Sequence, residues 1–172
     1  MPEAETTFWV FNEVSAVLVT AALAAVIAIW GIISQRGITA RQTTLEFIRN
    51  SESDEDMIAA RATFWRLSRD PAGLGPWAAQ PLTDEFKHVR TVLNEYEMIA
   101  IGIQRGILDD ELYRRWYKSG VIRAWNHAAP FVLARRNSTG NEALWHEFEE
   151  MARWYKGSPG MPRRGRFWAK LF

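Results

Sequence analysis

The sequence predicts an all-α protein, with one N-terminal transmembrane helix followed by a compact cytoplasmic bundle of about five helices. Three observations carry that prediction. Val14–Ile33 is a run of twenty residues without a charge, and the uncharged stretch continues through Ser34 and Gln35. Beyond it, apolar residues recur at alternating spacings of three and four, the period of a helix with one buried face. No segment longer than a few residues alternates with the period of two that a half-buried strand shows.

Taken in order, residues 1–13 are expected outside the membrane and residues 14–35 within it. A helix of twenty residues covers roughly 30 Å, the hydrocarbon thickness of a bilayer. Phe8, Trp9 and Phe11 precede the span and Trp30 lies near its far end, positions where aromatic rings favour the interfacial layers. Ala16, Thr20, Ala24 and Ala28 recur every four residues, giving one face of small side chains that a second helix can approach closely. Residues 1–35 hold Glu3, Glu5 and Glu13 and no Lys or Arg, so all 21 basic side chains lie beyond the span. Because Lys and Arg are retained on the cytoplasmic side, the N-terminus is expected outside the inner (plasma) membrane and the domain in the cytoplasm. A cleaved signal peptide would have a basic leading segment and an apolar core of about 7–15 residues; here the leader is acidic and the core longer.

The soluble domain is expected over residues 37–157. Gly37 is expected to end the membrane helix, and Thr39 with Gln42 to open a short second helix as a capping box. Ser51–Asp56 reads as a polar turn rich in capping residues, leading into a helix over 54–69 with Met57, Ala60, Phe64 and Leu67 on one stripe. Asp70–Pro81 holds three prolines and two glycines and reads as a loop. Phe86, Val89, Leu93, Tyr96, Ala100 and Ile103 then form the clearest helical stripe in the chain. Gly106 stands where a left-handed C-cap is preferred. Asp109, Asp110 and Glu111 start the next helix, so the two form an antiparallel hairpin. That second helix extends to about Arg136, with a break or kink expected at Gly120 and Pro130. Asn141 is expected to cap a last helix carrying Leu144, Phe148, Met151 and Tyr155, closed by Gly157.

The tail, 158–172, interleaves Arg163, Arg164, Arg166 and Lys170 with Phe167 and Trp168 without an acidic residue. This composition suits contact with an anionic membrane surface, at about 1 kcal/mol per basic side chain. Overall, 48% hydrophobic and 13% aromatic residues suit a packed core. A net charge of +1 and basic residues read as solvated helix faces argue against nucleic acid as a partner. The absence of cysteine excludes disulfides and thiolate metal sites.

No motif advertises chemistry. Glu85 and His88 make one Glu-x-x-His, but a di-iron bundle needs two such pairs, and Ala124 and Ala143 stand three residues before His127 and His146. Zinc-hydrolase, nucleophile-elbow and phosphate-loop patterns are absent. No catalytic residue, metal site or cofactor is expected. One polar residue stands out: Glu97 lies at the margin of the long apolar stripe, and a buried carboxylate needs a partner. Arg61, beside the stripe of the earlier helix, is the expected partner in a structural ion pair, with Arg123 as the alternative.

The order of anchor, RQTTLEFI (41–48), LNEYEMIAIGIQRGILDDELY (93–113) and WHEFEEMARWY (145–155) resembles a bacterial domain-of-unknown-function family, number 4760, over about residues 10–156. The resemblance implies a small protein with one N-terminal membrane helix and a cytoplasmic helical domain, and it adds no activity. The expectation for function is therefore a membrane-anchored protein-interaction module, an adaptor or accessory subunit rather than an enzyme. Its partners would be the bilayer and another protein or a second copy of itself. The alternative is a self-associating membrane-tethered sensor, or a stress- or phage-defence effector.

Overall fold

A computed structural model of the chain describes the backbone of residues 3–157 and the side chains of residues 16–157. The tail residues Arg163, Arg164, Arg166, Phe167, Trp168 and Lys170, and the side chains of Phe8, Trp9 and Phe11, lie outside the described residues. Five α-helices and one short 3-10 turn account for the described secondary structure, with no strand among the described residues. The fold class is all-α, one long apolar helix followed by a helical bundle. The chain divides into two compact units, Met1–Thr39 and Ala40–Phe172.

Helix α1 runs from Glu3 to Ser53 and includes a segment long and apolar enough to cross a membrane. Its large apolar side chains between Val17 and Ile33 are all exposed. The expected end at Gly37 and a separate helix from Thr39 are not found. One interior glycine costs about 1 kcal/mol of helix propensity, too little to stop a helix that continues through good helix formers. Past the unit boundary, Ala40 and Thr44 are buried. The Thr44 hydroxyl donates to the Ala40 carbonyl (2.7 Å) and accepts from the Asp109 amide (2.8 Å).

Helix α2, Glu55–Ser68, starts where Asp54 accepts from the Met57 amide at 3.1 Å, and Glu55 and Asp56 complement the positive end of its dipole. Its stripe of Ala60, Phe64 and Leu67 is buried, chiefly against α3. The expected loop over 70–81 contains the 3-10 turn Gly75–Ala79, which inserts Leu74 and Ala78 into the core and packs on α4.

Helix α3, Asp84–Arg105, opens with Thr83 accepting from the Phe86 amide and ends at Gly106, whose φ of 70° is the left-handed conformation glycine adopts without strain. The amides of Ile107 and Leu108 both return to the Gly102 carbonyl, closing the hairpin. At Gly102 the turn comes so close that a Cβ would sit 2.8 Å from the buried Leu108 side chain. Asp109 then caps α4, Asp110–Thr139, accepting from the Leu112 amide at 2.9 Å. The helix passes unbroken through Gly120 and Pro130, against expectation. Val121, Ala124 and Ala128 before the proline, and Phe131 and Val132 after it, are all buried. Burial at roughly 1.5–3 kcal/mol for a large apolar side chain outweighs the ~3 kcal/mol of an interior proline.

Helix α5 spans His146–Gly157 and starts later than expected. Asn141 does not cap it; its side chain accepts from the Ala143 amide at 3.0 Å and shapes the preceding turn. The turn ends at Trp145, a non-glycine residue at φ 52°. That conformation costs of order 1–3 kcal/mol. Trp145 is held in it by its indole N–H on Asn94 Oδ1 (2.9 Å) and by the Arg136 guanidinium on the Leu144 carbonyl. Phe148, Met151 and Tyr155 complete the core from this side.

Candidate functional site

Two carboxylates on α3 organise the polar interior. Glu95 and Glu97 are two positions apart, so they point about 160° apart around the helix. Glu95 is 4% exposed and faces α2 and the end of α1. Arg61 reaches it as a fork, with Nη2 at 2.6 Å from Oε1 and Nε at 3.2 Å from Oε2. The Ser51 hydroxyl also donates to Glu95, and the Ser51 carbonyl accepts from Arg61 Nη1 at 3.3 Å. Arg61 is thus ion-paired as expected, but with Glu95 and not Glu97.

Glu97 faces the other way, onto the start of α5, where it accepts from the amides of Glu147 (3.3 Å) and Phe148 (2.7 Å). Half-burial raises its pKa above the usual 4.5, against the lowering effect of the two amides. It caps a helix that brings no capping side chain of its own, and the expected Glu97–Arg61 pair is corrected accordingly. A signal for Glu95 did exist in the sequence. Val92, Glu95 and Ile99 are spaced by three and four, a second stripe beside the one read, and both its apolar members are buried.

Beside the Arg61–Glu95 pair lies a cavity of about 200 Å³ between the end of α1 and helices α2, α3 and α4. Phe47, Trp65, Tyr96, Tyr113 and Tyr117 give it aromatic walls. The rings are fixed by their neighbours. Tyr96 stacks on Phe148 at 4.6 Å and an interplanar angle of 7°, and Tyr113 stacks on Tyr117 at 4.9 Å. Tyr117 donates its hydroxyl to Glu52. The hydroxyls of Tyr96 and Tyr113 have no hydrogen-bond partner among the described residues. Burial, reinforced by the Glu95 charge, pushes Tyr96 up to about 12, and burial pushes Tyr113 well above 10, so both keep their protons at neutral pH. Arg123, the alternative partner considered for Glu97, lies at the cavity with its guanidinium 4.8 Å over the Trp65 ring. It has no carboxylate partner among the described residues.

Elsewhere, polar groups serve as ties. Asp109 lies 3.6 Å from Arg41 in addition to capping α4. Arg136 bridges Glu149 (2.8 Å) and the Leu144 carbonyl, and Tyr155 donates to Asp110 at 2.9 Å. His88 contacts the Thr63 hydroxyl at 3.1 Å, and Glu85 lies 3.9 Å from Arg66.

The model of one family, described as Domain of unknown function (DUF4760), matches residues 18–154. The chain belongs to that family. The match takes in α2, α3 and α4 whole, most of α1, and α5 as far as Trp154, so both sides of α3 and the cavity are parts of the DUF4760 domain. No curated protein and no solved structure matches the chain.

Proposed function

We propose that this DUF4760 protein is a single-pass inner-membrane protein of bacteria that works by binding another protein, as an adaptor or accessory subunit, and catalyses no reaction. In this reading α1 crosses the bilayer with its N-terminus outside, and the bundle lies in the cytoplasm. One observation carries it: ten large apolar side chains between Val17 and Ile33 are exposed. In water each would forgo roughly 1.5–3 kcal/mol of burial, which no marginally stable chain sustains ten times over; in hydrocarbon the same exposure is favourable. The direction follows from the Lys and Arg bias. Support for binding over catalysis comes from the buried carboxylates Glu95 and Asp109 and the half-buried Glu97. Each is committed to a guanidinium or to backbone amides, whereas a catalytic acid or base is held free toward a substrate. Trp116, Met98 and Leu82 on the bundle surface are exposed and supply apolar contact area.

The test is purification of the full chain from native membranes in mild detergent, with the mass of the intact complex as readout. A second protein at fixed stoichiometry is the expected result. The chain at one protomer's mass, with no partner under any extraction, would remove the adaptor reading.

A second reading, a self-associating membrane-tethered sensor, is favoured by the cavity against the end of α1. The exposed stripe of Ala16, Thr20, Ala24 and Ala28 would be its contact between copies.

A further inference from the structure

Gly120 lies in the middle of α4, where glycine is the wrong residue on local grounds. Its φ is not positive, so the backbone does not require it. A Cβ placed on it would meet nothing within 4 Å, so packing does not require it either. Glycine there costs about 0.5–1 kcal/mol relative to alanine. What it provides is space, because Gly120 lines the cavity between α1 and α4. Helix stability has been given up where a side chain would fill a void, and a void of this kind is a binding site in shape.

Its chemistry selects the occupant. The volume of about 200 Å³ exceeds the roughly 150 Å³ of apolar cavity known to hold benzene, leaving room for one ring and a small substituent. The walls include the rings of Trp65, Tyr96, Tyr113 and Tyr117, an aromatic lining suited to a planar ring. The charged lining is two guanidiniums, Arg61 and Arg123, against one carboxylate. Glu95 is already engaged by Arg61 and Ser51, so it offers little to a cation. On the other side, one Arg61 Nη1 hydrogen, the Arg123 guanidinium and the Tyr96 and Tyr113 hydroxyls are donors without an acceptor among the described residues. We propose that this cavity binds a small aromatic monoanion, one ring bearing one carboxylate, with the carboxylate held by Arg123 and the tyrosine hydroxyls. The site would give the sensor reading its ligand, and it rests on that reading for its purpose though not for its chemistry.

The test uses the full chain in lipid nanodiscs and equilibrium dialysis of benzoate, with benzylamine and benzyl alcohol as ring-matched probes and empty nanodiscs subtracted. Benzoate should bind with one-to-one stoichiometry, at least tenfold more tightly than either other probe. Arg123→Gln changes an exposed side chain whose one described contact is with the Trp65 ring, and should weaken benzoate at least tenfold with only a small fall in melting temperature. Gly120→Leu should abolish binding while the helical signal and melting temperature hold or rise, separating a filled cavity from a damaged fold. No saturable benzoate binding, equal binding of benzylamine, or full binding by Gly120→Leu would each overturn the site. Native mass measured with and without benzoate separates the two ideas. Saturable binding with no change in association keeps the site and removes the self-associating sensor; absent binding removes the site whatever the mass.

Discussion

Leucine, isoleucine and valine are used in opposite ways in two regions of this chain. Along α1, Leu23 is 58% exposed and Ile27 66%; in α3, Val89, Leu93 and Ile103 are all 0% exposed. The residue types are the same and both segments are helical, so neither composition nor secondary structure explains the difference. Charge patterning does. The α3 stripe is interrupted every few residues by Lys, Arg, Glu or Asn, which gives that helix one apolar side. The α1 run has no polar side until Arg36. An amphipathic helix buries its one apolar face on a neighbour, whereas a helix apolar all round has no face suited to water, the pattern of a core helix or a membrane span.

The largest expected effect breaks this contrast from the bundle side. Leu93→Ala should destabilise the bundle by ~2–5 kcal/mol, read as a lowered melting temperature of the full chain in nanodiscs, while Leu23→Ala leaves that temperature unchanged. An equal loss from both would mean that α1 is packed as a core helix. From the membrane side, Leu23→Arg places a charge at the centre of the span and should cost ~2.5–3.5 kcal/mol of insertion, visible as chain released by alkaline carbonate. Leu93→Arg should unfold the bundle without releasing the chain from the membrane.

Within the bundle the contrast sharpens to the two sides of α3. Glu95→Gln leaves Arg61 without its counter-charge. The loss should be ~2–4 kcal/mol, below the full value for a broken buried pair because the Arg61 side chain is 31% exposed. Replacing both, as Glu95→Met with Arg61→Leu, should restore most of the stability. Glu97→Ala removes two acceptors from the start of α5 and should cost ~1–2 kcal/mol. Hydrogen exchange should accelerate at the Phe148 amide in that variant but not in Glu95→Gln.

The smallest effect is one of pH. The folded-state pKa of Glu97 is raised above 4.5, chiefly by burial, so folding favours its protonated form. Its contribution to stability should therefore rise as pH falls from above its folded pKa toward 4.5. Comparing the pH dependence of melting for the native chain and Glu97→Gln checks the sign; a contribution that fell with pH would contradict it.

The sequence exposed the parts of this fold that depend on local periodicity and capping. The α3 stripe, the Gly106 end and the Asp109 start were legible because each is decided within a few residues. Gly120 and Pro130 misled because a helix breaker acts locally while burial acts through tertiary contacts such as those of Val121 and Phe131; Gly37 misled because the cost of one interior glycine is too small to end a long helix. The start of α5 was invisible for the same reason: its cap comes from Glu97, about fifty positions earlier. Of the candidate ion pair, Arg61 was legible and its partner was not. Glu97 sat at the edge of the conspicuous stripe, whereas Glu95 sat inside a second stripe whose apolar members, Val92 and Ile99, are too few to announce a face.

The most direct test of the central claim, a membrane-crossing α1 with the bundle inside, uses the absence of cysteine from the chain. Single cysteines are introduced as Thr6→Cys ahead of the span and Asn141→Cys in the exposed turn before α5, and intact cells are treated with a membrane-impermeant maleimide. The account predicts labelling of the first variant in intact cells and of the second only after lysis. Labelling of Asn141→Cys in intact cells, or recovery of either variant in the soluble fraction, would contradict it.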